Sequence, residues 1–280
     1  MQHSLTLNTG APMPLVGFGT YLIKDPEVCK SSVLTALEAG YRLVDTAQFY
    51  GNEEAVGQAI NESGIPREEL FITTKLWHTD AGDAKTRLAF EASLKRLGLD
   101  YVDLYLIHHP FGDVYGAWRV MEQLYHEGLA RAIGLSNFYP DRLQDLLLHF
   151  DVVPAVDQLE THIYHQRLDA RELMARHDIR LMAWGPFSQG KTDLLKNAAL
   201  GEIAARYGKT PAQAALRFLI QQGIAVIPKS VNEHRIRENI GLFDFALSDE
   251  DMTALKALDT KKSAGLTHDD PANVRRIVAL

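Results

Sequence analysis

Residues 40–57 read GYRLVDTAQFYGNEEAVG. Arg42-Leu43-Val44 has the character of a short buried strand, and it ends on a carboxylate, Asp45. An aspartate delivered by an apolar run is costly unless it is paired. Tyr50 follows in the loop, Gly51-Asn52 breaks the chain, and Glu53-Glu54 open a helix whose apolar side is Ala55, Val56, Ala59 and Ile60. Acidic residues in a first helical turn suit the macrodipole, so these two glutamates need no catalytic role. A strand that ends on Asp45 and leads into a helix is one βα unit, and strand ends are where α/β folds place their sites.

The same unit repeats along the chain. A hairpin over Ser4–Val16, turning at Asn8-Thr9-Gly10, precedes it. Val16–Thr20 is strand-like and leads to a helix over 26–39, and strand 42–45 leads to helix 53–62. Strands are then expected at 70–75, 103–108, 131–135, 155–159, 179–184 and 224–229, each followed by helical periodicity. Most of these strands are continuous apolar runs, the mark of a parallel sheet covered on both faces. Eight strand–helix units without a linker or low-complexity segment predict one domain over residues 1–280, a (β/α)8 barrel with an N-terminal β-hairpin. An extra helix over 248–258, opened by Ser248, follows the last unit, and the tail after Asp259 reads as polar loop.

Composition narrows the function. The chain has 280 residues, 46% hydrophobic and 23% charged, with a formal net charge of -7. That balance suits a soluble protein, and Lys and Arg form no stripe for nucleic acid. No apolar run approaches a membrane span, and the N-terminus shows no signal-peptide pattern, so a cytoplasmic location is expected. Cys29 is the only cysteine and sits on a helical face, which suits a packed thiol. His108 and His109, adjacent in an extended segment, should point to opposite sides. His162 and His165 have no cysteine or carboxylate at zinc-type spacing, so no metal is expected.

In a barrel of this kind the chemistry belongs at the C-terminal strand ends. Read in order, those ends carry Asp45, Lys75, His108, Ser136-Asn137, Gln158, Trp184 and Lys229-Ser230. Each has an ordinary structural explanation, but polar groups at so many ends of one rim point to a site. Asp, Tyr, Lys and His together form a proton-transfer device. A phenol needs its pKa lowered by about two units, roughly 2.7 kcal/mol, to act as an acid at neutral pH. A Lys⁺ at about 4 Å offers roughly 4 kcal/mol at an effective dielectric of about 20, and an aspartate at about 7 Å takes back roughly 2.4 kcal/mol. On this reckoning the lysine wins narrowly.

These residues resemble the aldo-keto reductase family, in particular its prokaryotic members that reduce diketogluconate and methylglyoxal. GYRLVDTAQFYGNEEAVG is similar to the family's first signature, ITTKLW supplies the matching Lys75, and DLYLIHHP the matching His108. IPKSVNEHRIRENIGLFDF resembles its nucleotide-binding signature, and the similarity runs to about Asp259. The resemblance implies NADPH-dependent reduction of a small-molecule carbonyl by a monomer, with Tyr50 as general acid, His108 orienting the carbonyl, and Lys75 with Asp45 tuning the phenol. It also implies that Ser136, Asn137 and Gln158 bind the nicotinamide carboxamide and Trp184 stacks on its ring, with Gly19, Thr20 and Asp45 adjoining the cofactor. Lys229, Ser230 and Arg235 would hold a 2′-phosphate, and Glu238 and Asn239 the adenine. Lys and Arg beside a helix start suit a phosphate on physical grounds as well. There is no G-x-G-x-x-G, which argues against a Rossmann reading.

Two departures bear on substrate. His109 stands where family members commonly carry Trp, and Trp184-Gly185-Pro186-Phe187 replaces the more usual aromatic-Ser-Pro-Leu. A pocket formed by Tyr21, Tyr50, Trp77, His108, His109 and Phe111, with a short loop and a polar tail, is expected to be shallow. Such a pocket suits dicarbonyls, simple aldehydes and keto-sugars. The alternative is an NADPH-binding sensor or regulatory subunit with little turnover.

Overall fold

The computed structural model describes residues 3–280. It begins with a hairpin, β1 (Ser4–Thr6) and β2 (Pro12–Pro14), closed at Gly10 with φ +83°. A positive φ is nearly free for glycine, which explains the turn sequence. Leu7 and Met13 point from the hairpin into the floor of the barrel and pack against Leu43, Leu104 and Met182.

Eight parallel strands follow: β3 (Gly17–Gly19), β4 (Leu43–Asp45), β5 (Phe71–Leu76), β6 (Leu104–Ile107), β7 (Ile133–Ser136), β8 (Val156–Glu160), β9 (Arg180–Trp184) and β10 (Ala225–Val226). Each pairs with its sequence neighbour. A parallel bridge between Val16 and Val226, with Gly19 N–H donating to Pro228 O at 3.2 Å, joins the first strand to the last and closes the barrel. A side chain at Gly19 would put Cβ 2.8 Å from Ile227 O, so the seam needs a glycine there.

The helices that follow the strands are α1 (Pro26–Glu38), α2 (Glu53–Glu62), α3 (Thr86–Leu97), α4 (Val114–His126), α5 (Pro140–His149), α6 (Leu168–Arg176), α7 (Ala198–Arg206), α8 (Pro211–Ile220) and α9 (Glu233–Ile240). They form the outer layer, and α10 (Asp249–Lys256) and α11 (Pro271–Val278) follow the barrel. Cys29 is buried on α1, where burial pushes its thiol up to about 11. No helix among the described residues is long and apolar enough to cross a membrane.

The barrel and its strand ends match the sequence expectation to within a few residues, with two differences. The last strand is two residues long rather than six: Ile227 N–H still donates to Ala183 O at 3.3 Å, and Pro228 after it has no N–H to extend the ladder. The tail is not loop throughout, because Asp270 caps α11 by accepting from Ala272 N–H at 2.8 Å, with Pro271 at the first helical position.

Strand periodicity explains how the rim is furnished. Side chains two apart share a face. The inward row of β4 is Leu43 then Asp45, and that of β5 runs Phe71, Thr73, Lys75. On β6 it runs Leu104, Leu106, then His108 just beyond the strand, and on β8 Val156 then Gln158. On these four strands an apolar residue fills the lowest layer and Asp45, Lys75, His108 or Gln158 the uppermost, with Thr73 between the two on β5.

Candidate active site

At the upper layer Lys75 Nζ lies 2.5 Å from Asp45 Oδ1, donates to Thr46 O at 2.9 Å, and reaches Tyr50 Oη at 3.3 Å. Gln158 Nε2 donates to the other carboxylate oxygen, Oδ2, at 2.7 Å. The costly buried aspartate is therefore paired on both oxygens, as its position requires. Burial raises the Asp45 carboxyl and lowers the Lys75 amine, each opposed by the attraction of its partner.

Tyr50 ends a single 3-10 turn, Gln48–Tyr50, stopped by Gly51 at φ +67°. Two bonds through one side chain hold that turn to the loop after β5: Gln48 Oε1 accepts from Trp77 N–H at 3.1 Å, and Gln48 Nε2 donates to Asp80. Asn52 fastens the other side by donating to Thr20 O at 3.0 Å and Ile23 O at 3.1 Å.

The expected lowering of the phenol is not present in the protein alone. Tyr50 is pushed well above its ordinary value, first by burial and then by the Asp45 charge. The lysine is matched by a carboxylate at 2.5 Å, so little net positive field reaches the phenol.

His108 is buried, and burial, His109, Lys75 and His78 hold its imidazole well below the usual range, so it is neutral. Its Nδ1 is buried without a partner among the described residues, which leaves Nε2 for a ligand. The rings of His108 and Tyr50 stand edge to face at 5.6 Å. His108 and His109 do not point to opposite sides. Their rings stack at 5.1 Å with planes 10° apart, because the chain bends after Ile107 instead of staying extended.

A cavity of about 510 Å³ opens above these residues. One side is formed by Gly19, Ser136, Asn137, Gln158, Trp184 and Lys229. Asn137, at φ +62°, ties this side together: its Nδ2 donates to His108 O at 3.0 Å, and its Oδ1 accepts from Trp184 Nε1 at 2.9 Å. An aromatic plane, an amide cluster and a lysine beyond them form a donor set that fits a nicotinamide nucleotide. Ser230 and Arg235 lie past Lys229 on the surface, while Glu238 accepts from Thr210 Oγ1 at 2.8 Å and Asn239 is buried on α9. Among the described residues neither Lys229 nor Arg235 forms an ion pair, which leaves both cations available to an anion. Thr20 does not line the cavity: it is buried, with Oγ1 donating to Asp45 O at 3.0 Å.

The other side of the cavity differs from expectation. Tyr21, Tyr50, Trp77, His108 and His109 line it, but Phe111 stands behind His109, with ring centroids 5.9 Å apart. Phe49 stacks on Trp77 at 3.9 Å, and Leu22, Leu195, Leu266, Ile277 and Leu280 complete the wall. The pocket is deeper and more apolar than its sequence suggests, because the tail folds over it. The Asp270-Pro271 start of α11 repeats the Asp25-Pro26 start of α1 and was the available signal.

The sequence profile of the aldo/keto reductase family matches residues 16–260. The 9,11-endoperoxide prostaglandin H2 reductase of Trypanosoma cruzi is 44% identical, over 97% of this chain and 95% of its own. The glyoxal reductase of Bacillus subtilis is also 44% identical, over 96% and 98%. The crystal structure of a Bombyx mori aldo-keto reductase in complex with NADP superimposes with a TM-score of 0.92 at 34% identity, covering 98% of this chain and 97% of that one. With the family profile running across all eight barrel strands and relatives aligned almost end to end, the chain is an enzyme of the aldo/keto reductase family.

Proposed function

We propose that the protein reduces small aldehydes and ketones with NADPH, using Tyr50 as the general acid. The Asp45–Lys75–Tyr50 chain at the foot of the cavity carries this reading. NADPH, when bound along Ser136, Asn137, Gln158 and Trp184, supplies the hydride. Tyr50 Oη gives its proton to the carbonyl oxygen, and the phenolate left behind is stabilised by Lys75 Nζ at 3.3 Å. Neutral His108 donates a hydrogen bond that orients the same oxygen. Lys229, Ser230 and Arg235 hold the 2′-phosphate, and Glu238 and Asn239 face the adenine. Burial keeps the phenol protonated until substrate arrives.

The substrates proposed are dicarbonyls, simple aldehydes and keto-sugars. Apolar walls at Trp77, Phe49, Leu195 and Leu266 favour those bearing an apolar or aryl substituent. The relative named glyoxal reductase and the NADP complex of the Bombyx mori enzyme support the class and the cofactor. Consumption of NADPH by the purified protein across methylglyoxal, an aryl aldehyde and a keto-sugar tests it. Tight NADPH binding without turnover of any of them would contradict it.

A further inference from the structure

The wall supplied by the tail is held by one carboxylate. Glu160 is the last residue of β8, two beyond Gln158, and it is buried. Its Oε1 accepts from Ala264 N–H at 2.7 Å and faces His162 Nε2 at 3.1 Å. Its Oε2 accepts from Gly265 N–H at 3.3 Å and from the Ser263 hydroxyl. Three consecutive residues of the tail thus wrap one buried carboxylate.

Ser263, Ala264 and Gly265 have little apolar surface, so burial alone cannot dock them. Hydrogen bonds to a charged acceptor can. Upstream, Thr260 is fixed separately by its N–H and Oγ1 on Tyr164 O, at 3.0 and 2.9 Å. Downstream, His268 Nε2 meets His109 Nδ1 at 3.2 Å. Between those points the segment rests on Glu160. From there the chain places Gly265 and Leu266 in the cavity wall, and α11 adds Ile277.

We propose that Glu160 is a substrate-positioning residue, acting through the tail it fixes across the cavity mouth. Small carbonyls reach Tyr50 and His108 without touching this wall, whereas larger ones lie against it. Glu160 therefore sets affinity for substrates by size. On the cofactor side Asn137 Oδ1 accepts from Trp184 Nε1 at 2.9 Å, a bond that a change at Glu160 leaves in place. The glycine at 265 belongs to the same arrangement: a Cβ there would lie 2.9 Å from Trp184 Cη2 and 3.1 Å from Glu160 Oε2.

Only the kinetic part of this proposal rests on the carbonyl-reductase reading. Glu160→Gln replaces one acceptor with a donor. Gly265→Ala leaves the carboxylate and its His162 contact in place and crowds the tail off. Both are made in the full-length protein and compared with wild type. Limited trypsin cleavage at the exposed Lys261 and Lys262, read by intact mass, reports the docking without any substrate. Cleavage there should be about tenfold faster in both variants. KM for 2-naphthaldehyde should rise about five- to tenfold. In Glu160→Gln, KM for methylglyoxal, kcat for both aldehydes and the Kd for NADPH should stay within about twofold of wild type, whereas Gly265→Ala, which also crowds Trp184, is read by cleavage and by KM for the naphthaldehyde.

Unchanged cleavage, or an unchanged KM for the naphthaldehyde with cleavage faster, would overturn the proposal. Equal losses for both aldehydes and for NADPH in Glu160→Gln would overturn it too, by making Glu160 a prop of the barrel. So would an effect confined to Glu160→Gln, which would trace to His162 instead of the tail. A wild-type protein inert toward both aldehydes would contradict the carbonyl reading instead, and the cleavage rates would then decide the docking by themselves.

Discussion

Lys75 Nζ stands 3.3 Å from Tyr50 Oη, yet the phenol is raised in the protein alone, first by burial and then by the charge of Asp45, which lies 2.5 Å from the lysine. In the proposed mechanism the lysine acts when the phenol loses its proton. Lys75→Met should therefore lower kcat by about 10²-fold or more, since it leaves Asp45 as an unopposed negative charge beside a forming phenolate. Single-turnover reduction with NADPH preloaded measures this directly, and a rate within tenfold of wild type would rule the role out.

The cation pair beyond Trp184 is expected to select the phosphorylated cofactor. Lys229 and Arg235 flank the start of α9, whose Asn232 cap accepts from Arg235 N–H at 3.1 Å. Arg235→Ala should shrink the preference for NADPH over NADH by roughly ten- to a hundredfold, the range for a charged hydrogen bond of about 1.5–3 kcal/mol. Fluorescence titration of both nucleotides reads it. Equal affinity for the two in the wild-type protein would defeat the assignment.

The apolar wall predicts a substrate preference of its own. Trp77 is packed face to face with Phe49 at 3.9 Å and 16°. Trp77→Ala removes that plate and should raise KM for an aryl aldehyde about tenfold, with little change for methylglyoxal. Steady-state kinetics on the two substrates separates this from a general loss of activity.

A pH effect on stability should come from Asp157, which faces away from the barrel interior. It is fully buried, neither oxygen has a partner at bonding geometry among the described residues, and burial raises its carboxyl from 3.8 to about 8. Arg167 and the Phe138 amide ease the charge without matching it. Between pH 4 and 8 the folded state holds a proton that the unfolded chain has lost, so stability from this group is present at low pH and fades as pH rises through 8. Asp157→Asn keeps the shape and removes the titration. Denaturant unfolding should show the variant more stable by about 2–5 kcal/mol at pH 8 and near wild type at pH 4. A difference that does not grow with pH would contradict the account.

The barrel was legible because its information is local: apolar runs of strand length, caps, and a polar residue at the upper end of the inward rows of β4, β5, β6 and β8. Asp45, Lys75 and His108 fall on those rows, so their convergence follows from a period of two. What could not be read depends on contacts distant in sequence. Glu160 meets Ser263 across more than a hundred positions, and neither residue's neighbourhood signals the other. The tail looked polar because α11 buries only Ile277, too few residues to show a helical period. His109 departs from the expected alternation for a different reason, since one bend after β6 turns its ring onto that of His108. The raised phenol of Tyr50 follows first from burial, which only the packing reveals.

The central claim is that the Tyr50 hydroxyl delivers the proton. Tyr50→Phe removes that oxygen and leaves the ring that packs at 5.0 Å from Tyr21 and 5.6 Å from His108. NADPH binding, followed by tryptophan fluorescence, should be unchanged within about twofold, and carbonyl reduction should fall by about 10²–10⁴-fold. A Tyr50→Phe enzyme that binds NADPH and reduces methylglyoxal at near the wild-type rate would contradict the account.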